Sequence, residues 1–143
     1  DDVDYVRGKG RVYVTNETGL YMAPWADVLY AADTDWWQEH IEQAREVFEG
    51  EFWTVSHRAH ELYGINYVKD RAQWLWSNKQ GEIATGGNSG FQIVNLAVLQ
   101  GAERVIMLGY DMGHDENEQK HWFDDKHPPK KARAHSHRLI PCQ

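Results

Sequence analysis

The sequence predicts an α/β fold, a Rossmann-like parallel sheet flanked by helices. Three observations predict it. Short apolar runs of strand length alternate with stretches of helical periodicity. The runs end on polar side chains at Asn16, Asp33 and Asp111, and in parallel sheets the carboxyl ends of the strands meet at one ligand-binding edge. Finally, Thr85 to Asp111 reads as a polar glycine-rich turn, an apolar helix and a buried strand that delivers a carboxylate. Backbone amides at such a helix start are suited to an anionic group.

Arg11-Val-Tyr-Val-Thr predicts a first short strand ending at Asn16, followed by a loop or single helical turn to Pro24. Asp27-Val-Leu-Tyr-Ala-Ala predicts a second strand ending on Asp33. Thr34 or Asp35 is then expected to cap a helix that runs to about Phe48 and closes at Gly50. Glu51 to Ser56 predicts a third strand. Residues 57 to 80 carry weaker signals: a helical turn over Arg58 to Tyr63, a short strand over Ile65 to Val68 and an irregular aromatic stretch after it. From Ser89 to Gln100 the pattern is apolar nearly all round, which predicts a helix buried against a sheet, with Ser89 able to cap it and Gly101 ending it. Arg104 to Leu108 is uninterrupted enough to predict a central parallel strand.

The chain of 143 residues is expected to form one domain over residues 1–129, with a basic, histidine-containing tail over 130–143. Its first residues, Asp1-Asp2, suggest processing or truncation. The net charge of -7 argues against broad nucleic-acid binding. A mean hydropathy of -0.72, with no long apolar run, predicts no membrane span. The single cysteine, Cys142, excludes an internal disulfide framework and a cysteine-based zinc site, and fits a cytoplasmic location. Seven Trp and seven Tyr are an unusual aromatic content; most are expected in the core, large aromatics also favour interfaces and stack on sugars and bases, and a homo-oligomer is compatible with that. Tandem Trp36-Trp37 is the clearest case, because adjacent helical residues cannot both face inward.

Three constellations could carry chemistry. In Gly86-Gly87-Asn88-Ser89-Gly90 the glycines permit positive φ and close ligand approach, and Ser89 can cap the helix or donate to a phosphate. The turn is neither a Walker loop nor a dinucleotide fingerprint. In His121 to His127, with Asp124 and Asp125 between, histidine can serve as general base or contact a phosphate; the same set could bind a divalent metal, though its spacing matches no helical metal motif. In Asp33-Thr34-Asp35, the last reads first as a helix cap, whereas Asp33 at a strand end could accept hydrogen bonds from ribose or sugar hydroxyls.

These residues carry a resemblance. Gly87-Asn-Ser-Gly-Phe-Gln-Ile-Val-Asn-Leu-Ala-Val-Leu-Gln-Gly-Ala-Glu-Arg-Val-Ile-Met-Leu-Gly-Tyr-Asp111 resembles the core of bacterial sialyltransferases that decorate lipooligosaccharide. It is more similar still to phage-encoded proteins of that superfamily, which also includes flagellin-modifying motility accessory proteins and a pterin pyrophosphokinase-like branch. The run Ala23-Pro-Trp-Ala-Asp-Val-Leu-Tyr-Ala-Ala-Asp33, with Trp36-Trp37, and the loop from His121 to Pro128 resemble the phage members too.

The resemblance implies a nucleotide-sugar donor, such as a CMP-linked sugar, lying across the strand ends and needing no further cofactor and no metal. Asn16 stands where those enzymes carry a donor-contacting asparagine, and Asp33 falls near a second one. Gly87, Asn88, Ser89 and Gly90 would approach the nucleotide, with Asp111 at the same edge. His121 or His127 would be the general base on an acceptor hydroxyl. The tyrosines that hold the leaving phosphate have no clear counterparts, and Gly113 and His121 stand near those positions. Family members open with a strand and a Gly-x-Gly-Pro-Ser-Leu loop. Asp2 to Asn16 resembles the segment immediately after that loop, so the sheet is expected to lack its first strand. Three functions are therefore expected to compete. The first is a nucleotide-sugar-dependent glycosyltransferase. The second is a non-catalytic binding or structural module of a phage. The third is a metal-dependent phosphohydrolase or pyrophosphokinase using Asp111, His121 and His127.

Overall fold

The computed structural model describes residues 2–71 and 81–110. Four strands, β1 (Tyr13–Thr15), β2 (Val28–Tyr30), β3 (Glu51–Thr54) and β4 (Asn66–Tyr67), pair in sequential order and all run parallel. A short α1 (Asp2–Tyr5) precedes them, and α2 (Glu17–Tyr21), α3 (Thr34–Val47) and α4 (His57–Tyr63) are the three crossovers. One residue after β4, the chain forms β5 (Lys69–Arg71), which pairs in parallel with β6 (Glu82–Ala84). The helix α5 (Ser89–Leu99) comes next. This is the predicted α/β, Rossmann-like class. No described helix is long and apolar enough to cross a membrane.

Alternation along β2 explains the layering. Leu29 enters one core cluster with Val14, Leu20, Trp37, Ile41, Ala44 and Ala59, so α2, α3 and α4 cover one face. Val28 and Tyr30 enter the other with Val68, Ile83, Ile93 and Leu96, so α5 covers the opposite face. Successive strand side chains point to opposite faces, and a sheet buried on both faces needs apolar residues in both phases. All three β2 residues are buried.

Local chemistry sets the boundaries, and several differ from expectation. α3 begins at Thr34 with the extended Asp33 at its N-cap position, so neither Thr34 nor Asp35 caps it. The Thr34 hydroxyl instead shares a 2.5 Å hydrogen bond with the Ser56 hydroxyl. Gly50 does not close this helix, which ends at Val47 with Phe48 as its C-cap residue. It admits a backbone crossing instead, because a Cβ there would collide with the Asp27 carbonyl oxygen. α4 starts one residue earlier than predicted, with the Ser56 side chain accepting from the Ala59 amide. Asn88, not Ser89, caps α5: its Oδ1 accepts from the Phe91 amide at 2.8 Å, which makes Ser89 the first helical residue. β6 has no counterpart among the sequence-predicted strands.

The largest departure is Arg104 to Leu108. These residues form no strand, and Ile106 and Met107 are 76% and 56% exposed. An apolar run becomes a strand only when a neighbour accepts its backbone hydrogen bonds, and among the described residues none does so. The chain divides into the compact unit Asp1–Leu108 and a second, Gly109–Gln143, of which only Gly109 and Tyr110 are described. Asp111, His121, His127 and the basic tail from residue 130 lie outside the described residues.

Candidate functional site

Tyr30, the last residue of β2, organises the carboxyl edge of the sheet. Its carbonyl oxygen accepts from the Asn16 amide at 3.1 Å, tying the end of β2 to the end of β1. Its phenol donates to Gln92 Oε1 at 3.0 Å, in a buried bond between residues 62 apart in sequence. Gln92 lies in the first turn of α5, so that bond ties the start of this helix to the end of β2. Burial pushes the Tyr30 phenol well above its ordinary pKa of 10.0, and the charges of Asp70 and Asp33 add to the effect. The phenol therefore stays a neutral donor.

Of the sequence-predicted residues that are described, Asn16 bonds Tyr30 directly, Asp33 follows Tyr30 by three residues, and Gly87 to Gly90 precede its partner Gln92 in the chain. Asn16 is the one described non-glycine residue with positive φ, at φ 49 and ψ -132. That conformation is ordinarily reserved for glycine and costs about 1–3 kcal/mol. It is held by the hydrogen bond that the Asn16 backbone N–H donates to the Tyr30 carbonyl and by the Asn16 carbonyl, which accepts from the Gly19 amide at 3.1 Å. Asp33 is exposed three residues beyond Tyr30, and its side chain makes no hydrogen bond to the helix it precedes. Asp33 was predicted at a strand end, and it stands just past that end.

The glycine turn has a structural cause. Gly86 and Gly87 have φ of 52 and 77. A Cβ on Gly86 would run into the Phe91 ring, so the turn folds directly onto that ring. Gly87 and Asn88 are exposed, and Ser89 and Gly90 are half-buried. The amino end of an α-helix of this length favours negative charge through its aligned peptide dipoles. Asn88 satisfies one first-turn amide with its own side chain. Asn95 fixes the other flank of the helix, accepting from the Ala84 amide and donating to the Phe91 carbonyl.

Of the tandem tryptophans only one is fully buried, and the other packs against the core. Trp37 is fully buried and donates to the Ala31 carbonyl, while half-buried Trp36 donates to Glu17 and meets Trp37 edge-on. Histidines without partners legible in the sequence acquire them: His40 faces Glu17 at 3.9 Å, His57 faces Glu61 at 3.4 Å, and His60 Nδ1 is 2.6 Å from the Ile65 carbonyl. No group of three or more metal-ligating side chains comes together among the described residues, Asp33 and Asp35 included. An open concavity lined by Asp35, Gln38 and Glu39 contains none of the strand-end residues. Its two carboxylates would repel an anion.

Tyr30 and Gln92 are the site residues that the sequence did not single out. The available signal was a lone glutamine and a lone asparagine in an otherwise apolar helix, since a polar side chain there is buried only with a partner. No known family, curated protein or solved structure matches the chain.

Proposed function

We propose that the carboxyl edge of this sheet binds the nucleotide of a sugar donor and that the protein is a glycosyltransferase. In this reading the amides of the glycine turn and the start of α5 meet phosphate, while the Asn16 side-chain amide and the Asp33 carboxylate meet polar groups of the nucleoside or sugar. The acceptor hydroxyl attacks the anomeric carbon as the bond from that carbon to phosphate breaks. The nucleotide phosphate leaves with the bonding electrons, and His121 or His127 takes the acceptor proton. The resemblance supplies this chemistry. One structural observation supports its location: Tyr30, at the end of a central parallel strand, bonds both the strained Asn16 and Gln92 in the first turn of α5, and the exposed Asp33 follows it by three residues.

A thermal-shift series with CMP, UDP and GDP, each with and without Mg²⁺ or Mn²⁺, tests the reading. Stabilisation by a nucleotide without metal is expected. Stabilisation by metal alone would point to the phosphohydrolase alternative, and a flat response throughout would leave a non-catalytic module. Ser89→Trp is expected to abolish the nucleotide shift, because the indole would occupy the approach to the turn. Full affinity in that variant would remove the turn from the site.

A further inference from the structure

We propose that Asp70 is a further residue of the donor site, and that its carboxylate accepts hydrogen bonds from hydroxyl groups of the bound nucleotide sugar. The inference rests on the reading of the carboxyl edge as that site.

Placement along the chain comes first. The Val68 amide donates to the carbonyl of Thr54, the last residue of β3, at 2.9 Å. The chain then enters β5 without a turn, so Lys69–Arg71 run past the end of β3, on the carboxyl side of the sheet. Arg71 accepts at its carbonyl from both the amide and the hydroxyl of Thr85, each at 3.2 Å. Thr85 immediately precedes Gly86, so Asp70 stands one residue from the bonds that hold the entrance of the glycine turn.

Two observations fix its face. Val68 and Ile83 both belong to the core cluster that contains Tyr30. Residue 70 shares a face with residue 68 by strand alternation, and it is also the register partner of Ile83. Asp70 therefore lies on the Tyr30 face, and it is exposed, at the rim where that cluster meets solvent. Its charge, like that of Asp33, bears on the Tyr30 phenol, which holds Gln92 in the first turn of α5. The cations beside it in sequence, Lys69 and Arg71, fall on the opposite face by the same alternation, and there both meet Glu82.

An ionised carboxylate accepts hydrogen bonds only, and it repels phosphate. Beside amides suited to phosphate, its use is to take the neutral hydrogen-bond donors of the same ligand. In a nucleotide sugar these are hydroxyls, on the ribose or on the transferred sugar. Parallel-sheet nucleotide sites place an acidic residue on ribose hydroxyls in this way.

Titration calorimetry tests this with the member of CMP, UDP and GDP that stabilises the wild type, its dideoxy form, which has neither ribose hydroxyl, and a matching nucleotide sugar. Asp70→Ala is expected to keep its circular dichroism, since the side chain is exposed, and to bind the nucleotide sugar about 10- to 100-fold more weakly. Asp70→Asn, which keeps one carbonyl acceptor, is expected to lose less. A loss that the free nucleotide shows and its dideoxy form does not assigns Asp70 to the ribose. A loss confined to the nucleotide sugar assigns it to the transferred sugar. A wild type that binds none of the three overturns the donor-site reading and this proposal with it. This proposal alone is overturned if the wild type binds and Asp70→Ala binds the nucleotide sugar as tightly, or more tightly because a negative charge is gone. A loss of equal size with the dideoxy form overturns it too, since no hydroxyl would then be involved.

Discussion

The two faces of the sheet are held by different forces. On the α2–α4 face, Trp37, Ile41, Ala44 and Phe48 fill a core that needs little hydrogen bonding, apart from the Trp37 indole donating to Ala31. On the α5 face, a helix of high average hydrophobicity is fixed by three polar anchors: Gln92 to Tyr30, Asn95 to the Ala84 amide, and Gln100 to Tyr13. Apolar packing is non-directional and tolerates small shifts. Buried hydrogen bonds do not, because a displaced partner leaves a desolvated polar group behind. The face that carries the glycine turn is thus the one built for register.

The largest expected effect lies on the packed face. Trp37→Ala should destabilise the protein by about 3–5 kcal/mol, through lost burial and the cavity left behind. Urea unfolding followed by circular dichroism would measure it. A loss below about 1 kcal/mol would mean that this face does not carry the fold, and the contrast would collapse.

On the anchored face, Tyr30→Phe removes one oxygen and leaves Gln92 without its donor. A cost of about 1–3 kcal/mol is expected, together with weaker binding of whichever nucleotide stabilises the wild type. The same residue has a pH signature. Its folded pKa lies above the ordinary 10.0, so the unfolded chain loses this proton first. The stability it contributes is complete below about pH 10 and is lost as pH rises further. Tyr13 shifts in the same direction, chiefly by burial, so Tyr30→Phe should reduce the alkaline slope of stability without abolishing it. An unchanged slope between about pH 9 and 11, near the ordinary tyrosine pKa, would mean that Tyr30 is not buried in its neutral form in solution.

The contrast between faces also explains how much could be read from the sequence. β1, β2, β3, α3 and α5 announced themselves because burial writes a period into the chain. Asn16 was legible as a strand end, yet its positive φ was not, since backbone strain depends on the long-range bond to Tyr30. The Tyr30–Gln92 bond joins residues 62 apart and leaves no local pattern. Arg104–Leu108 misled for the opposite reason: its apolar run met every local criterion, and pairing is decided by a neighbour that the run itself does not encode. β6 was missed because its three residues, Glu82-Ile-Ala84, open on a charge. That charge is explained only by the fold, since Glu82 lies 3.3 Å from Lys69 and 2.5 Å from Arg71 across the ladder.

The smallest expected effect is the most informative about function. Asn16 occupies a backbone conformation that glycine adopts without penalty, so Asn16→Gly relieves strain while it raises the entropy of the unfolded chain. The two terms nearly cancel, and a net gain of at most about 1 kcal/mol is expected. Under the proposed function the amide side chain meets the donor, a contact that glycine cannot supply. Asn16→Gly should therefore unfold at the same or a slightly higher temperature and lose nucleotide affinity. Equal affinity at higher stability would show that the strain serves nothing at this edge. Lower stability would show instead that the asparagine side chain supports the turn between β1 and α2, which would move Asn16 from the site into the scaffold.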